Sequence, residues 1–271
     1  MIEGFKAIDV KSEKLTIKAY YKSGSKMPLV FMHGITDNAF CFSRVVEKFS
    51  DHAIVLYDAR GHGLSDRASD YSIKSHVNDA LAVLSEFKVE RPLAIGHSMG
   101  AVNLANLAAS SDYFLGGIFL EDPPWLDLFP EKEGLEYIAS WKETSLRRAR
   151  MSLDSVNAEG RIEHPGWTDE EYAEWAEAKI QADPEVLSWL YDENVYTGWK
   201  NFVGKINTPL IVLTGDNSLG AYINSDVSRG ILERNPSARI TNISAGHSIR
   251  RDAFVDYIKA LEMFIEEINR R

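Results

Sequence analysis

Short apolar runs alternate with segments of helical periodicity along most of the chain. Several runs, such as PLVFMHG and PLIVLTG, are continuously apolar, which is typical of central strands that are covered on both faces. Apolar stripes at helical spacing over 73–84 and 254–268 predict helices between the strands. The pattern therefore predicts an α/β fold with a mostly parallel central sheet and helices on both faces. The predicted strands are 15–21, 29–32, 53–57, 93–96, 117–120, 210–213 and 238–243.

One stretch in the middle of the chain differs from the rest in charge and aromatic content. The 271 residues include 30 basic and 40 acidic side chains, a net charge of −10. Residues 125–200 hold 17 acidic and 8 basic side chains, a net of −9, which leaves −1 for the remainder. We interpret this stretch as an insertion. It also contains all six tryptophans: Trp125, Trp141, Trp167, Trp175, Trp189 and Trp199.

Composition and charge exclude several classes of protein. A net negative charge has the wrong sign for neutralising phosphates, so we expect no nucleic-acid partner. No apolar run reaches membrane-spanning length, and the first residues lack the pattern of a secretory signal. The single Cys41 cannot form an internal disulfide. We therefore expect a cytoplasmic protein that does not enter a membrane, while the sequence leaves its oligomeric state unknown.

The strongest chemical signal is the sequence GHSMG at 96–100. It follows the apolar run PLAI and precedes the helix-compatible AVNLANLAA, which is the context of a nucleophile elbow. A serine hydroxyl becomes nucleophilic when a strained turn presents it to a general base. Ser98 is therefore the predicted nucleophile. The backbone N–H of Met99 at the start of the helix is a predicted oxyanion donor.

A second oxyanion donor and a general base are expected from other loops. The sequence HGIT follows the strand at 29–32, and the N–H of Ile35 is the candidate donor. His33 in this sequence is expected to order its own loop. His247 is the predicted base because it lies between the last predicted strand and the last helix, behind the nucleophile in chain order.

These motifs together resemble the α/β-hydrolase fold superfamily, in its serine-nucleophile branch. The resemblance rests on HGIT, DARGHGLS, GHSMG, LEDPP and AGHS, in that order over nearly the whole chain. It implies a core domain of residues 1–122 and 205–271 and an inserted helical cap (lid) at 123–204. A serine at the elbow disfavours the chemistries of relatives that use an aspartate nucleophile. The single glycine of HGIT is similar to the loop of esterases that act on short to medium acyl groups.

The position of the acid that orients the histidine departs from the family's usual pattern. The resemblance would place it in the loop TGDNS, where Ser218 stands at the expected position. Two aspartates could replace it: Asp122, after the strand at 117–120, and Asp216, two residues early in the usual loop. Some lactonases and dehalogenases of the superfamily use the position that matches Asp122. We favour Asp122 over Asp216. Glu121 is a third choice, because strand alternation should turn its side chain the other way.

The cap is expected to face the substrate. Residues 168–179 predict a helix with Thr168 as N-cap and Glu171 completing a capping box. The other carboxylates of this helix are expected mostly to form a solvated face. Aromatic side chains could roof the pocket and suit an apolar acyl or alcohol group, with Trp125 the first candidate because it lies near Asp122. A cap carboxylate could instead hold a substrate amine, as in relatives that resemble proline iminopeptidase.

The predicted function is a serine hydrolase that cleaves a small-molecule carboxylic ester or lactone through an acyl-enzyme intermediate. Such chemistry needs no metal and no organic cofactor. An aminopeptidase, an amidase and a hydrolase of carbon–carbon bonds would use the same three side chains. A ligand receptor that retains the hydrolase fold is the alternative that is not an enzyme, and negligible turnover over a broad ester panel would identify it.

Overall fold

The computed structural model describes residues 4–270, whose strands form one eight-stranded sheet in the order β1-β2-β4-β3-β5-β6-β7-β8. Among the described strands, β2 alone runs antiparallel to its neighbours, and every pair from β4 to β8 is parallel. The predicted mostly parallel sheet is confirmed. The strands are β1 (Lys6–Ser12), β2 (Leu15–Lys22), β3 (Lys26–Met32), β4 (His52–Tyr57), β5 (Leu93–His97), β6 (Gly117–Glu121), β7 (Leu210–Thr214) and β8 (Arg239–Asn242).

The sequence pattern missed the edge strand β1. Its one signal is the pair Ile8 and Val10, separated by the charged Asp9, which is the alternation of a strand with one buried face. Only Val10 and Ser12 of this strand are fully buried. An edge strand of this kind buries too little apolar surface to be recognised by its composition.

Helices cover the sheet on both faces, as predicted. The apolar stripe over 73–84 forms α2, and the stripe over 254–268 forms α11. The α-helices are α1 (Ser43–Val46), α2 (Ile73–Glu86), α3 (Met99–Ser110), α4 (Lys132–Arg148), α5 (Leu153–Glu163), α6 (Asp169–Gln181), α7 (Glu193–Tyr196), α8 (Trp199–Phe202), α9 (Ser225–Arg234), α10 (Ile249–Asp252) and α11 (Phe254–Asn269). The 3-10 helices are Ala39–Phe42, Glu47–Phe49, Pro184–Tyr191, Val203–Lys205 and Asn217–Leu219.

The continuously apolar strands are explained by two hydrophobic layers, one on each face of the sheet. In β3, Leu29 and Phe31 face the layer that contains α11, whereas Val30 and Met32 face the layer that contains α2 and α3. All four side chains are at most 2% exposed. A strand buried on both faces loses the alternation of apolar and polar residues, so the layered packing accounts for the sequence pattern.

The chain between β6 and β7 is helical and contains α4 to α8. The predicted capping box of α6 is present: Thr168 N–H donates to Glu171 Oε2 at 2.9 Å, and Glu171 N–H donates to Thr168 Oγ1 at 3.3 Å. The predicted solvated face is only partly correct. Glu171 also accepts from Arg44, and Glu174 bonds the Ser43 hydroxyl, so these two carboxylates attach α6 to the start of α1.

The inserted helices contact the sheet domain through buried polar groups as well. Tyr71 donates its hydroxyl to Asp183 Oδ2 at 2.8 Å, and Asp183 N–H donates to the Gly61 carbonyl at 2.7 Å. Trp167 Nε1 donates to Asp252 Oδ1 at 2.8 Å. These bonds fix the helices above the carboxyl ends of the strands, where ligands bind in open α/β sheets. The division into core and cap domains at 122/123 and 204/205 stays a prediction.

No helix in the described part of the chain is long and apolar enough to span a membrane.

Removing one partner of the buried ion pair between Arg60 and Asp79 is expected to destabilise the sheet domain. Arg60 Nε and Nη2 donate to the two carboxylate oxygens of Asp79 at 2.6 and 2.8 Å, and both side chains are at most 3% exposed. Asp79→Ala should lower the free energy of unfolding by about 3–5 kcal/mol, because Arg60 would remain as a buried charge without its carboxylate. Urea denaturation measures the change.

The matched control is Asp226→Ala, which removes an exposed partner of Arg229. This exposed pair should contribute less than about 1 kcal/mol. Equal destabilisation by the two substitutions would contradict the assignment of stability to the buried pair.

Candidate active site

Ser98 lies in a strained turn between β5 and α3. Its φ of 51° and ψ of −115° are unusual for a residue with a side chain. The turn is possible because both flanking glycines approach other backbone closely. A Cβ at Gly100 would lie 2.1 Å from the Met32 carbonyl oxygen, and a Cβ at Gly96 would lie 2.6 Å from the Gly100 oxygen. The sequence GHSMG therefore has the local geometry of an elbow.

His247 is held by a carboxylate at the end of a neighbouring strand. Its Nδ1 lies 2.7 Å from Asp122 Oδ2, and its side chain is 28% exposed while that of Asp122 is fully buried. His247 and Ser98 line the same pocket. A histidine whose Nδ1 is bound by a carboxylate keeps Nε2 free to accept a proton.

Backbone donors hold Asp122 in turn. Tyr222 N–H donates to its Oδ2 at 3.0 Å, and Ile223 N–H donates to its Oδ1 at 3.3 Å. Asp122 itself has a φ of 38°, so the chain turns sharply as it leaves β6. The backbone donors and the turn fix the carboxylate in one orientation toward His247.

The structure brings Asp122, and not Asp216, to the histidine. Asp216 uses its side chain within its own loop, accepting from Ser218 N–H at 2.8 Å and from the Ser218 hydroxyl at 2.7 Å. These bonds lower the pKa of Asp216, which lies on the surface. Glu121 turns to the opposite side of β6 and accepts from Arg250 N–H at 2.9 Å, as strand alternation predicts.

Two backbone N–H groups near Ser98 are available to a ligand. Within residues 4–270, the N–H groups of Ile35 and Met99 have no hydrogen-bond partner. Ile35 lines the pocket, and Met99 begins α3 directly after Ser98. Unpaired N–H groups beside a nucleophile and at a helix N-terminus can bind an oxyanion.

The histidines of the two glycine-containing turns, His33 and His62, hold neighbouring loops in place. His33 Nε2 accepts from Ala59 N–H at 2.9 Å, and His62 Nε2 accepts from Thr36 N–H at 3.0 Å. Burial lowers the pKa of both rings, which keeps them neutral acceptors. His33 also contacts its own loop, with Nδ1 2.8 Å from the Gly34 carbonyl oxygen.

The pocket has a volume of about 420 Å³, which is suitable for a small organic molecule. Trp141, Trp167 and Trp175 of the inserted helices line it. The structure does not place Trp125 there. Pro124 lines the pocket instead, and Trp125 is fully buried in the adjacent apolar layer, stacked against Trp199 at 6.3 Å between ring centroids. Two consecutive prolines redirect the chain after Asp122, which proximity in sequence could not reveal.

Sequence reasoning missed a group of charged residues that lines the pocket: Arg148, Lys179, Arg251, Asp37 and Glu163. Lys179 Nζ donates to Thr36 O at 3.0 Å and contacts Asp37 Oδ1 at 3.3 Å. Burial alone would raise the pKa of Asp37, but Arg251, Lys179 and Arg250 hold it well below its usual value. Among the described residues, no group of three or more His, Cys, Asp or Glu side chains could hold a metal ion.

Comparison with known proteins agrees with this architecture. The profile of the Alpha/beta hydrolase family matches residues 29–258. The chain is similar to the esterase YbfF of Escherichia coli, with 23% identity over 268 residues that cover 94% of this chain and 100% of the relative. It is also similar to 2-(acetamidomethylene)succinate hydrolase of Mesorhizobium japonicum, with 32% identity over 90 residues. That second match spans only 32% of each chain, about a third of the relative's length.

A solved structure with a similar fold is the N-formylmaleamic acid deformylase Nfo(S94A) of Pseudomonas putida S16. The TM-score is 0.78 and the sequence identity 24%, over 94% of this chain and 100% of the other. At this identity, the similarity establishes the shared fold.

Proposed function

Because the chain belongs to the Alpha/beta hydrolase family, we propose that it is a serine hydrolase that cleaves a small-molecule carboxylic ester or lactone through an acyl-enzyme intermediate. The proposal rests on one observation above all, the 2.7 Å contact of His247 Nδ1 with Asp122 in a pocket that Ser98 also lines. The esterase similar to this chain over its full length adds support. A cytoplasmic location agrees with the single, buried Cys41.

The proposed reaction has two steps. His247 Nε2 takes the proton of the Ser98 hydroxyl as Ser98 Oγ attacks the carbonyl carbon, and Asp122 stabilises the imidazolium that forms. The N–H groups of Ile35 and Met99 donate to the developing oxyanion. His247 then gives its proton to the leaving alkoxide, and the acyl group stays on Ser98. Water, deprotonated by His247, releases the acid in the second step.

Amide hydrolysis is the second candidate. Two of the similar proteins are named as a deformylase of an N-formyl acid and a hydrolase of an acetamido compound. The same three side chains perform acyl transfer from nitrogen when the amine leaves with a proton from His247. The relative turnover of matched ester and anilide substrates separates the two candidates. Hydrolysis of neither kind of substrate would favour the ligand receptor.

A fluorophosphonate probe should label Ser98 covalently, because Ser98 is the hydroxyl that His247 is proposed to activate. Peptide mass spectrometry locates the label. Ser98→Ala should abolish labelling and turnover, and His247→Ala should lower kcat by orders of magnitude. The matched control is Ser65→Ala, which removes a buried hydroxyl that bonds the Asp58 carbonyl and should leave labelling unchanged. Labelling at a serine other than Ser98 would contradict the proposal.

Asp122→Asn should lower kcat by about 10³- to 10⁴-fold, because an amide cannot stabilise the imidazolium of His247. Asp216→Asn serves as the matched control and should change kcat by less than about threefold, since its carboxylate bonds only its own loop. Steady-state kinetics on one ester measures both. The reverse ranking would transfer the role of the acid to Asp216.

A further inference from the structure

One positively charged side chain of the pocket has no hydrogen bond to a carboxylate among the described residues. Arg251 belongs to α10, four residues after His247, and lines the same pocket as Ser98. Its side chain is 3% exposed. Within the described chain, its Nε and Nη2 have no hydrogen-bond partner, although both are buried. A buried guanidinium with two unpaired donors is costly unless an anion joins it.

The two unpaired nitrogens form one side of the guanidinium fork. Arg60 uses this same pair, Nε and Nη2, to hold both oxygens of Asp79 at 2.6 and 2.8 Å. Parallel donation of this kind is specific for planar, two-oxygen anions. Arg251, whose side chain lines the pocket, therefore has the kind of cationic group that binds a carboxylate elsewhere in this molecule.

The neighbouring carboxylates are already used by other groups. Asp37 accepts from Arg250 Nη2 at 2.9 Å and lies 3.8 Å from Arg251 Nη1, which is beyond hydrogen-bond distance. Asp252 accepts from Trp167 Nε1 at 2.8 Å and from Gly246 N–H at 3.0 Å. Within residues 4–270, neither carboxylate is hydrogen-bonded to Nε or Nη2 of Arg251; His97 Nδ1, in another pocket-lining side chain, is also without a partner.

The two remaining carboxylates near Arg251 are engaged as well. Glu163 pairs with Arg148. Glu174 bonds Ser43, and burial raises its pKa to about 7, so it carries only part of a charge at neutral pH. Neither carboxylate balances the guanidinium of Arg251.

Charge and packing favour an anion at this place. The charged side chains that line the pocket are Arg148, Lys179 and Arg251 on one side and Asp37 and Glu163 on the other, so the lining has one more cation than carboxylates. The guanidinium of Arg251 stacks 4.6 Å from the centroid of the Trp167 ring, which holds it in place. His164, which also lines the pocket, has its pKa lowered to about 4 by burial and by the charges of Lys179 and Arg251. The surroundings of the fork are thus positive and rigid.

We propose that the substrate carries a carboxylate of its own and that the guanidinium of Arg251 binds it, so that the pocket accepts the half-ester or half-amide of a dicarboxylic acid. The inference deepens the proposed function, since it rests on Ser98 attacking the acyl group at the other end of the same molecule. Arg251 is a specificity-determining residue, and it takes no part in the transfer of protons. The aromatic lining alone led us to expect a substrate with an apolar acyl group, whereas Arg251 favours a substrate whose acyl group ends in a carboxylate.

Kinetics on paired substrates tests whether Arg251 binds the substrate carboxylate, a role that we call the carboxylate anchor. The anionic series is the 4-nitrophenyl half-esters of succinate, glutarate and adipate, and each is compared with the neutral ester in which a methyl group replaces the carboxylate. At least one anionic ester should exceed its neutral partner in kcat/KM by roughly 10- to 100-fold, the range of a charge-assisted hydrogen-bond pair. Arg251→Gln should reduce this preference, which is the ratio of the two kcat/KM values, to about one.

Two further variants make the result specific. Arg251→Lys keeps the charge and lacks the fork, so its preference should fall between the wild type and Arg251→Gln. Arg44→Gln is the matched control, because Arg44 also stacks on an aromatic ring, Phe254, but does not line the pocket. It should retain the full preference. A wild-type protein without preference, or a preference that survives Arg251→Gln, would overturn the proposal.

Binding to the Ser98→Ala protein separates this proposal from the proposed function. Calorimetric titration should show saturable binding of the monomethyl ester of at least one of the three acids, and Arg251→Gln should abolish it. Such binding without turnover of any ester by the wild type would sustain the anchor and overturn the hydrolase. Turnover of neutral esters, without binding of any of the three monomethyl esters, would sustain the hydrolase and overturn the carboxylate anchor. Binding of inorganic phosphate alone would also overturn the assignment to a carboxylate.

Discussion

The carboxylate of Asp37 joins three of the segments that line the pocket. It belongs to the loop that carries Ile35, and it faces Lys179 of α6 together with Arg250 and Arg251 of α10. Removing one member of a buried ionic group leaves uncompensated charge, which typically costs about 3–5 kcal/mol. The proposed oxyanion loop, the inserted helices and the segment after His247 are therefore positioned by one shared interaction. The same arrangement leaves Arg251 without a hydrogen-bonded carboxylate, and the preference for anions that we propose for the pocket rests on this.

Local sequence was sufficient for the parts of the site that depend on local geometry. The elbow at Ser98 needs a strand, a strained residue, close-approaching glycines and a helix, and all of these are adjacent along the chain. The continuously apolar strands predicted the parallel sheet for a similar reason, because burial on both faces is a property of each strand by itself. The edge strand β1 was not predicted, because its alternation is short and most of its side chains are exposed.

The choice between two aspartates depended on tertiary structure. Asp122 and Asp216 follow the neighbouring strands β6 and β7, so both reach the same edge of the sheet. What distinguishes them is the path of the loop after β7. That loop turns its own Ser218 onto Asp216 and directs the N–H groups of Tyr222 and Ile223 to Asp122.

The positive charge of the pocket could not be predicted from the sequence either. Arg148, Lys179 and Arg251 come from distant segments of a chain with a net charge of −10. The prediction of Trp125 failed because adjacency along the chain does not fix the direction of a side chain after two prolines.

The central claim is that one pocket places a nucleophilic serine and a carboxylate anchor at the two ends of a single substrate. A crystal structure of the Ser98→Ala protein with a bound monomethyl ester of a dicarboxylic acid tests it most directly. The account predicts that the carboxylate lies within hydrogen-bond distance of the Arg251 guanidinium and that the ester carbonyl oxygen faces the N–H groups of Ile35 and Met99. A ligand whose carboxylate lies away from Arg251, or whose ester carbonyl lies away from residue 98, would contradict it.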